Sequence, residues 1–86
     1  MIRLLKAYRD YFWKFYHALP ESVKEKIDYV FEIMLISDQV PKKFFKHLEN
    51  GIYEIRVERG GNIYRIFCFF DKNSLVILLH GIQKRG

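Results

Sequence analysis

Three strand-like runs, separated by two short turn signals, occupy the carboxyl-terminal part of the chain from residue 51 to residue 85. The separators are Gly60-Gly61-Asn62 and Asp71-Lys72-Asn73, which are residue types that favour tight turns. Strands joined by connections this short pair with their neighbours in antiparallel fashion. The segment therefore predicts an antiparallel meander and limits the fold to those that contain one.

The apolar pattern differs between the three runs. In the first run, apolar and charged residues alternate, which is typical of a strand with one buried face; the apolar residues are Tyr53, Ile55 and Val57, and the charged ones are Glu54, Arg56 and Glu58. The second run, Ile63 to Phe70, is apolar on both faces except at Arg65 and predicts a central strand covered on both sides. The third run, Leu75 to Ile82, is mostly apolar.

The amino-terminal half is predicted to be mainly helical. A short strand is predicted within Ile2 to Tyr8, followed by a helix that begins after Asp10 and ends before Pro20. A second helix, from about Pro20 to Ile36, has apolar residues at three- and four-residue spacing. We also predict a short basic helix from Lys42 to Leu48. Helices that precede strands indicate an α+β class, with the helices packed on an antiparallel sheet of three to four strands.

Length and composition place the 86 residues in a single domain, 1–86. No run approaches the ~20 apolar residues that a membrane-spanning helix needs. Cys68 is the one cysteine, which excludes a disulfide framework, and we expect it to be a buried apolar residue. These features favour a cytoplasmic protein that does not have a membrane as a partner.

The charge is unevenly distributed along the chain. Residues 1–38 contain six Lys and Arg and six Asp and Glu, whereas residues 39–86 contain nine and four, so the second half carries the whole net charge of +5. A basic excess confined to the half of the chain that contains the predicted strands favours a polyanionic partner. Ordinary solvation of a small domain is the alternative interpretation.

Three segments in this order resemble a known family. They are Gly51 to Arg56, Tyr64 to Phe67, and Leu78 to Arg85, the last of which reads LLHGIQKR. The set resembles the RelE/ParE superfamily of bacterial toxins, and most closely its HigB-like, phage-derived (Gp49-like) branch. Relatives usually continue beyond this point with a carboxyl-terminal helix, and since the sequence stops at Gly86 we expect that helix to be lacking.

The resemblance implies a toxin of a type II toxin–antitoxin system that cleaves messenger RNA on the ribosome without a metal or other cofactor. It also implies a cognate antitoxin, commonly a helix-turn-helix protein. Two alternatives stay open: a ParE-like toxin that inhibits DNA gyrase, and an inactive truncated toxin that binds antitoxin or RNA. Without the carboxyl-terminal helix we expect an open sheet face or edge, and therefore a homodimer or an antitoxin-bound chain.

Metal-free RNA cleavage needs groups that orient the 2′-hydroxyl, stabilise the charged phosphorane and protonate the leaving oxygen. Arg56 and Arg65 are the candidates for charge stabilisation, because a guanidinium stays charged and binds two phosphate oxygens. Lys84 is a candidate source of charge or of a proton, and His80 a candidate general acid or base. The alternative for either arginine is a structural pairing with a nearby glutamate such as Glu54.

Further residues are candidates for RNA binding. Lys42, Lys43, Lys46 and Arg85 are expected to contact phosphates without reading sequence. Tyr64 is a candidate for stacking on a base, with core packing as its alternative role. His17 and His47 have no carboxylate or cysteine at ligand spacing, so no metal site is expected.

Overall fold

The computed structural model describes residues 3–71 and 75–85 and contains two helices and five strands. The order along the chain is β1 (Leu4–Ala7), α1 (Tyr11–His17), α2 (Glu21–Ile36), β2 (Phe45–Glu49), β3 (Ile52–Arg59), β4 (Asn62–Asp71) and β5 (Leu75–Arg85). The α+β class is therefore confirmed, with a sheet that is one strand larger than the three to four expected.

The five strands form one sheet in the order β1-β5-β4-β3-β2. The meander of β3, β4 and β5 is antiparallel as predicted, and β2 pairs antiparallel with β3. β1 pairs with β5 in parallel, which makes the sheet mixed. At the β3–β4 turn both Gly60 and Gly61 have positive φ angles, 62° and 79°. Two consecutive residues of this conformation define the type I′ turn that matches the twist of a hairpin.

Both helices cover the same face of the sheet. The buried residues of α2 recur at three- and four-residue spacing and form one stripe: Val23, Ile27, Val30 and Met34. They join a single core with Phe12 of α1 and with buried strand residues such as Ile55, Ile66 and Cys68. Because side chains alternate along a strand, the residues between these buried positions lie on the opposite face, which no helix of the described residues covers.

Two predictions about the strands are wrong. β4 is central, but only one of its faces is covered, and Ile63, Phe67 and Phe69 on the other face are partly exposed. The predicted basic helix is a turn at residues 42–44 followed by the edge strand β2. As a strand, this segment pairs with β3 and stacks the ring of Phe45 on Tyr53 at 4.8 Å between centroids, whereas Leu48 stays exposed.

The carboxyl-terminal end of α2 is held by a side chain from the start of the chain. The guanidinium of Arg3 donates hydrogen bonds to the carbonyl oxygens of Met34 at 2.9 Å and Asp38 at 2.6 Å, and also to that of Ser37. Carbonyls in the last turn of a helix lack partners within the helix, so these bonds satisfy groups that would otherwise need water. In the described ranges, no helix combines the length and apolar character required to cross a membrane.

Candidate functional site

The sheet face opposite the helices carries two arginines directly across from each other. Arg56 of β3 pairs in register with Arg65 of β4, and Arg65 in turn lies opposite Ile82 of β5. Residues that oppose each other in a sheet project to the same face, with Cβ atoms ~5 Å apart. Register therefore brings together the two arginines that the sequence indicated, on the face away from the core.

A buried carboxylate lies beside both arginines. Glu54 is only 4% exposed, and its Oε1 atom lies 3.5 Å from Nε of Arg65, while its Oε2 atom lies 4.0 Å from Nε of Arg56. Both Nε atoms are buried without a hydrogen-bond partner among the described residues. The contacts of Glu54 with the two arginines are thus ion pairs without a hydrogen bond. The Nε–H group of each guanidinium is left without an acceptor.

The charges in this cluster do not cancel. One carboxylate neutralises one guanidinium, so Glu54 leaves an excess positive charge between Arg56 and Arg65. The side chains of the arginines stay 35% and 25% exposed, so an anion from solution can reach them. The structural pairing that was the alternative role of these arginines is present, and it leaves the pair able to bind an anion.

Lys84 and His80 lie on the same face, on the neighbouring strand. Lys84 opposes Ile63 and His80 opposes Phe67, so both are two residues from the direct partner of Arg65. Such diagonal positions are ~7–8 Å apart across a sheet, which is within reach of long side chains. Both residues are exposed. The pairing of β4 with β5 shifts between Phe67, which opposes His80, and Cys68, which opposes Leu78. The resulting bulge in β5 lies next to His80.

A groove adjoins the cationic face where the β2 side of β3 has no neighbouring strand. β2 pairs only with residues 52–55 of β3, and beyond them the backbone N–H of Arg56 donates to the carbonyl of Phe44 at 2.7 Å. A cavity of about 430 Å³ opens here, lined by Lys42, Lys43, Phe45, Lys46, His47, Arg56 and Glu58. The three lysines proposed for phosphate contacts therefore share one groove, although not one helix.

A second hollow of about 370 Å³ continues from this groove towards α2. Its lining residues are Lys26, Lys43, Phe44, Arg56 and Glu58. Arg56 and Lys43 line both cavities, so the two hollows and the cationic face form one continuous surface. We call this surface, from Lys84 across Arg65 and Arg56 to Lys26, the basic tract.

One of the predicted RNA-binding residues has another place in the structure. Tyr64 lies on the helix-covered face and is only 3% exposed, so its ring packs in the core and is not available to stack on a base. Its alternative role, core packing, fits this position. Arg85 is the last residue of β5 and pairs with Asn62 beside the β3–β4 turn.

Sequence reasoning missed two features of the basic tract. Glu54 was recognised only as a partner for an arginine, and alternation on β3 gave no sign that it would be buried. Lys26 lies on α2, thirty residues from Arg56 in the chain, and no local pattern indicated that the two would line one hollow. Among the described residues, no group of three His, Cys, Asp or Glu side chains is placed to hold a metal ion.

Comparison with known proteins identifies a family and a similar solved structure. The family model described as "Phage derived protein Gp49-like" matches residues 14–86. A solved structure described as an archaeal RelE–RelB complex from Pyrococcus horikoshii OT3 contains a chain with a TM-score of 0.63 and 20% sequence identity, over 99% of this chain and 96% of that one. At this identity the likeness shows the fold alone. No curated protein matches the sequence.

Proposed function

The chain belongs to the family of phage-derived Gp49-like proteins, and from this membership and the basic tract we propose that it is the toxin of a type II toxin–antitoxin system that cleaves messenger RNA without a metal. The resemblance to the RelE/ParE superfamily, and to its phage-derived branch, is confirmed by the family match and the shared fold. The activity and the roles of individual residues are the proposal.

The observation that carries the proposal is the opposed pair of Arg56 and Arg65 with its excess charge. RNA cleavage by the substrate's own 2′-hydroxyl passes through a phosphorane that carries more negative charge than the phosphate. Fixed cations aimed at that charge stabilise it without having to reorganise during the reaction. Both arginines are on interior strands of the sheet and lie beside the same buried carboxylate, which supports cations that are positioned before substrate arrives.

The proton transfers are assigned to the two exposed groups beside the arginines. His80 is the candidate for proton transfer because an imidazole has one nitrogen that can donate a proton and one that can accept it. In the proposed mechanism it protonates the leaving 5′-oxygen or accepts the 2′-hydroxyl proton, and Lys84 adds charge or supplies a proton from the other side of Ile82. Lys42, Lys43 and Lys46 hold flanking phosphates in the adjoining groove.

The proposed partners follow the same reasoning. The solved chain that this fold matches comes from a complex described as RelE–RelB, and we propose that this chain likewise binds a cognate antitoxin, of helix-turn-helix type. The ribosome and its bound message are the proposed target. The cytoplasm, where both occur, is the proposed location.

Growth arrest and RNA cleavage test the proposal together. Expression of the chain should arrest growth, and Arg56→Ala or Arg65→Ala should relieve the arrest and abolish message cleavage on purified ribosomes. Arg59→Ala is the matched control, because Arg59 is on β3 but at a position that alternates to the other face. Each variant must keep the parent's circular dichroism spectrum.

The outcome also separates the alternatives. Arrest without message cleavage, unaffected by Arg56→Ala, would refute the nuclease and favour inhibition of gyrase, which a supercoiling assay would then detect. A folded wild-type chain that neither arrests growth nor cleaves message would favour the inactive toxin. Equal loss in the Arg59→Ala control would show that charge alone, and not the arginine pair, is responsible.

A further inference from the structure

An exposed tyrosine borders the part of the basic tract that lies farthest from His80. Tyr29 of α2 is 52% exposed, and its ring meets that of Phe44 edge to face at 6.5 Å between centroids. Nζ of Lys26, one turn earlier on the helix, lies 5.4 Å from the centroid of the Tyr29 ring. Lys26 and Phe44 both line the hollow that also contains Arg56. The exposed ring is therefore in contact with Phe44 and lies beside a cation.

An exposed tyrosine alone says little, because many apolar atoms of any protein surface face water. Tyr11, for instance, is equally exposed at 50% on α1. Tyr29 differs in its surroundings, since Lys26 and Lys43 lie at the adjoining hollow. Aromatic rings beside a positively charged groove are the usual means of holding single-stranded nucleic acid, in which bases stack on the ring while cations contact the backbone.

We propose that Tyr29, Lys26 and Lys43 form a subsite for one unpaired nucleotide next to the scissile phosphate. The base stacks on the exposed part of the Tyr29 ring, and the adjoining phosphate lies between Lys26 and Lys43. Glu58 also lines the hollow, and its negative charge directs the phosphate to the lysine side. This proposal rests on the proposed function, cleavage of RNA, and adds the position of one nucleotide of the bound RNA.

Arg56 connects this subsite with the site of chemistry. It lines the hollow beside Lys26 and at the same time opposes Arg65 on the open face. An RNA strand that contacts Arg56 at the reacting phosphate can therefore place a neighbouring nucleotide against Tyr29. Tyr29 takes the stacking role for which the sequence had suggested Tyr64, a residue that the fold buries.

The test uses an uncleavable probe, a short single-stranded RNA with 2′-O-methyl groups at every position, and measures its binding by fluorescence anisotropy at low salt. Tyr29→Leu should weaken binding about 5- to 150-fold, which corresponds to ~1–3 kcal/mol for one stacked base. Tyr29→Phe should bind like the wild type, because the ring and its contact with Phe44 stay. Tyr11→Leu is the matched control and should also bind like the wild type.

An abasic nucleotide moved along the probe supplies a second measurement. At one position the missing base should weaken wild-type binding as much as Tyr29→Leu does, and at that position it should have no further effect on the variant. Lys26→Gln should lower the slope of log affinity against log salt by ~0.7, the value for one phosphate contact on a single strand, and Lys24→Gln should not.

The results distinguish this subsite from the proposed function. If Tyr29→Leu and Tyr11→Leu bind alike while Arg56→Ala and Arg65→Ala abolish cleavage, the subsite is refuted and the nuclease stands. If the wild-type chain binds no probe at low salt and cleaves no ribosome-bound message, both are refuted. If the wild-type chain cleaves ribosome-bound message without binding the free probe, wild type and Tyr29→Leu are compared in the cleavage assay on ribosomes. An equal concentration of ribosome-bound message at half-maximal cleavage for the two proteins would then refute the subsite.

Discussion

Gly81 is the residue whose replacement has the most specific consequence for the fold. It lies in β5 between His80 and Ile82, opposite Ile66 and buried beneath α1. A Cβ atom placed on Gly81 would lie 2.7 Å from Cγ of Phe15 and closer still to Cδ2 and Cε2 of that ring. Real Cβ atoms do not approach ring carbons so closely. In Gly81→Ala either Phe15 or the strand must therefore move.

The loss of stability in Gly81→Ala depends on which neighbouring group can move. Adding a methyl group to a packed interior costs typically ~1–3 kcal/mol. The ring of Phe15 is partly buried and packs at 6.3 Å from that of Phe12, which is fully buried, so it can yield only by opening the α1 side of the core. We expect a loss of about 2 kcal/mol in the free energy of unfolding, which for a domain of this size lowers Tm by roughly 8–16 °C.

Thermal and urea unfolding, followed by circular dichroism, measure this loss in a double-mutant cycle. Phe15→Ala removes the ring, so adding Gly81→Ala to that background should cost almost nothing, or should stabilise, since alanine restricts the unfolded chain more than glycine does. An equal loss in both backgrounds, or no loss in the wild-type background, would refute the packing argument. Cleavage should fall with Gly81→Ala as well, because a displaced β5 carries His80 and Lys84 with it.

Three further predictions concern buried or paired groups. Glu54→Gln should lower the free energy of unfolding by about 1–3 kcal/mol, because it leaves two guanidiniums facing each other without a counter-charge, and it should slow cleavage; urea unfolding unchanged from wild type would contradict this. Burial raises the pKa of the Cys68 thiol to about 12, so at pH 8 Ellman's reagent should react only after unfolding, and rapid labelling of the native protein would contradict the buried position. Burial first, and then its hydrogen bond to Asp28 at 2.8 Å, raise the pKa of Tyr16 to about 12. Since that folded-state pKa lies above the value of 10.0 for a free tyrosine, the stability contributed by the neutral phenol is present below pH 10 and is lost as the pH rises towards 12. Tyr16→Phe should lack this alkaline component, and an identical pH profile in both proteins would contradict the assignment.

The sheet was largely predictable because its signals are local. Alternation in Tyr53 to Glu58 and the Gly60–Gly61 turn determine which residues of β3 face the core and how β4 returns. From there the pairing of Arg56 with Arg65 follows by counting residues from the turn. The part of the candidate catalytic cluster that lies on the β3–β4 hairpin could therefore be predicted from the sequence.

The errors occur where tertiary contacts override a local pattern. Residues 42–48 have apolar spacing compatible with a helix, but β3 offers an unpaired edge, and stacking of Phe45 on Tyr53 and Phe70 favours a strand. The parallel pairing of β1 with β5 joins the two ends of the chain, for which a single sequence contains no signal. For Tyr64 the sequence left base stacking and core packing both open, because an apolar strand does not indicate which of its faces the helices will cover.

For the proposed cleavage of RNA, the basic tract combines arginines on the interior strands β3 and β4 with lysines on the turn at residues 42–44 and on the edge strand β2. Phosphoryl chemistry needs cations whose positions are fixed, and the paired strands β3 and β4, with Glu54 buried between the guanidiniums, provide that rigidity. Contacts with flanking phosphates require long side chains but less exact positions. The lysines on the turn at residues 42–44 and on β2 have such long, flexible side chains. Arg56 lies just beyond the start of β2, where its backbone N–H donates to the carbonyl of Phe44, so the strand register places the arginine pair next to the lysines of the groove.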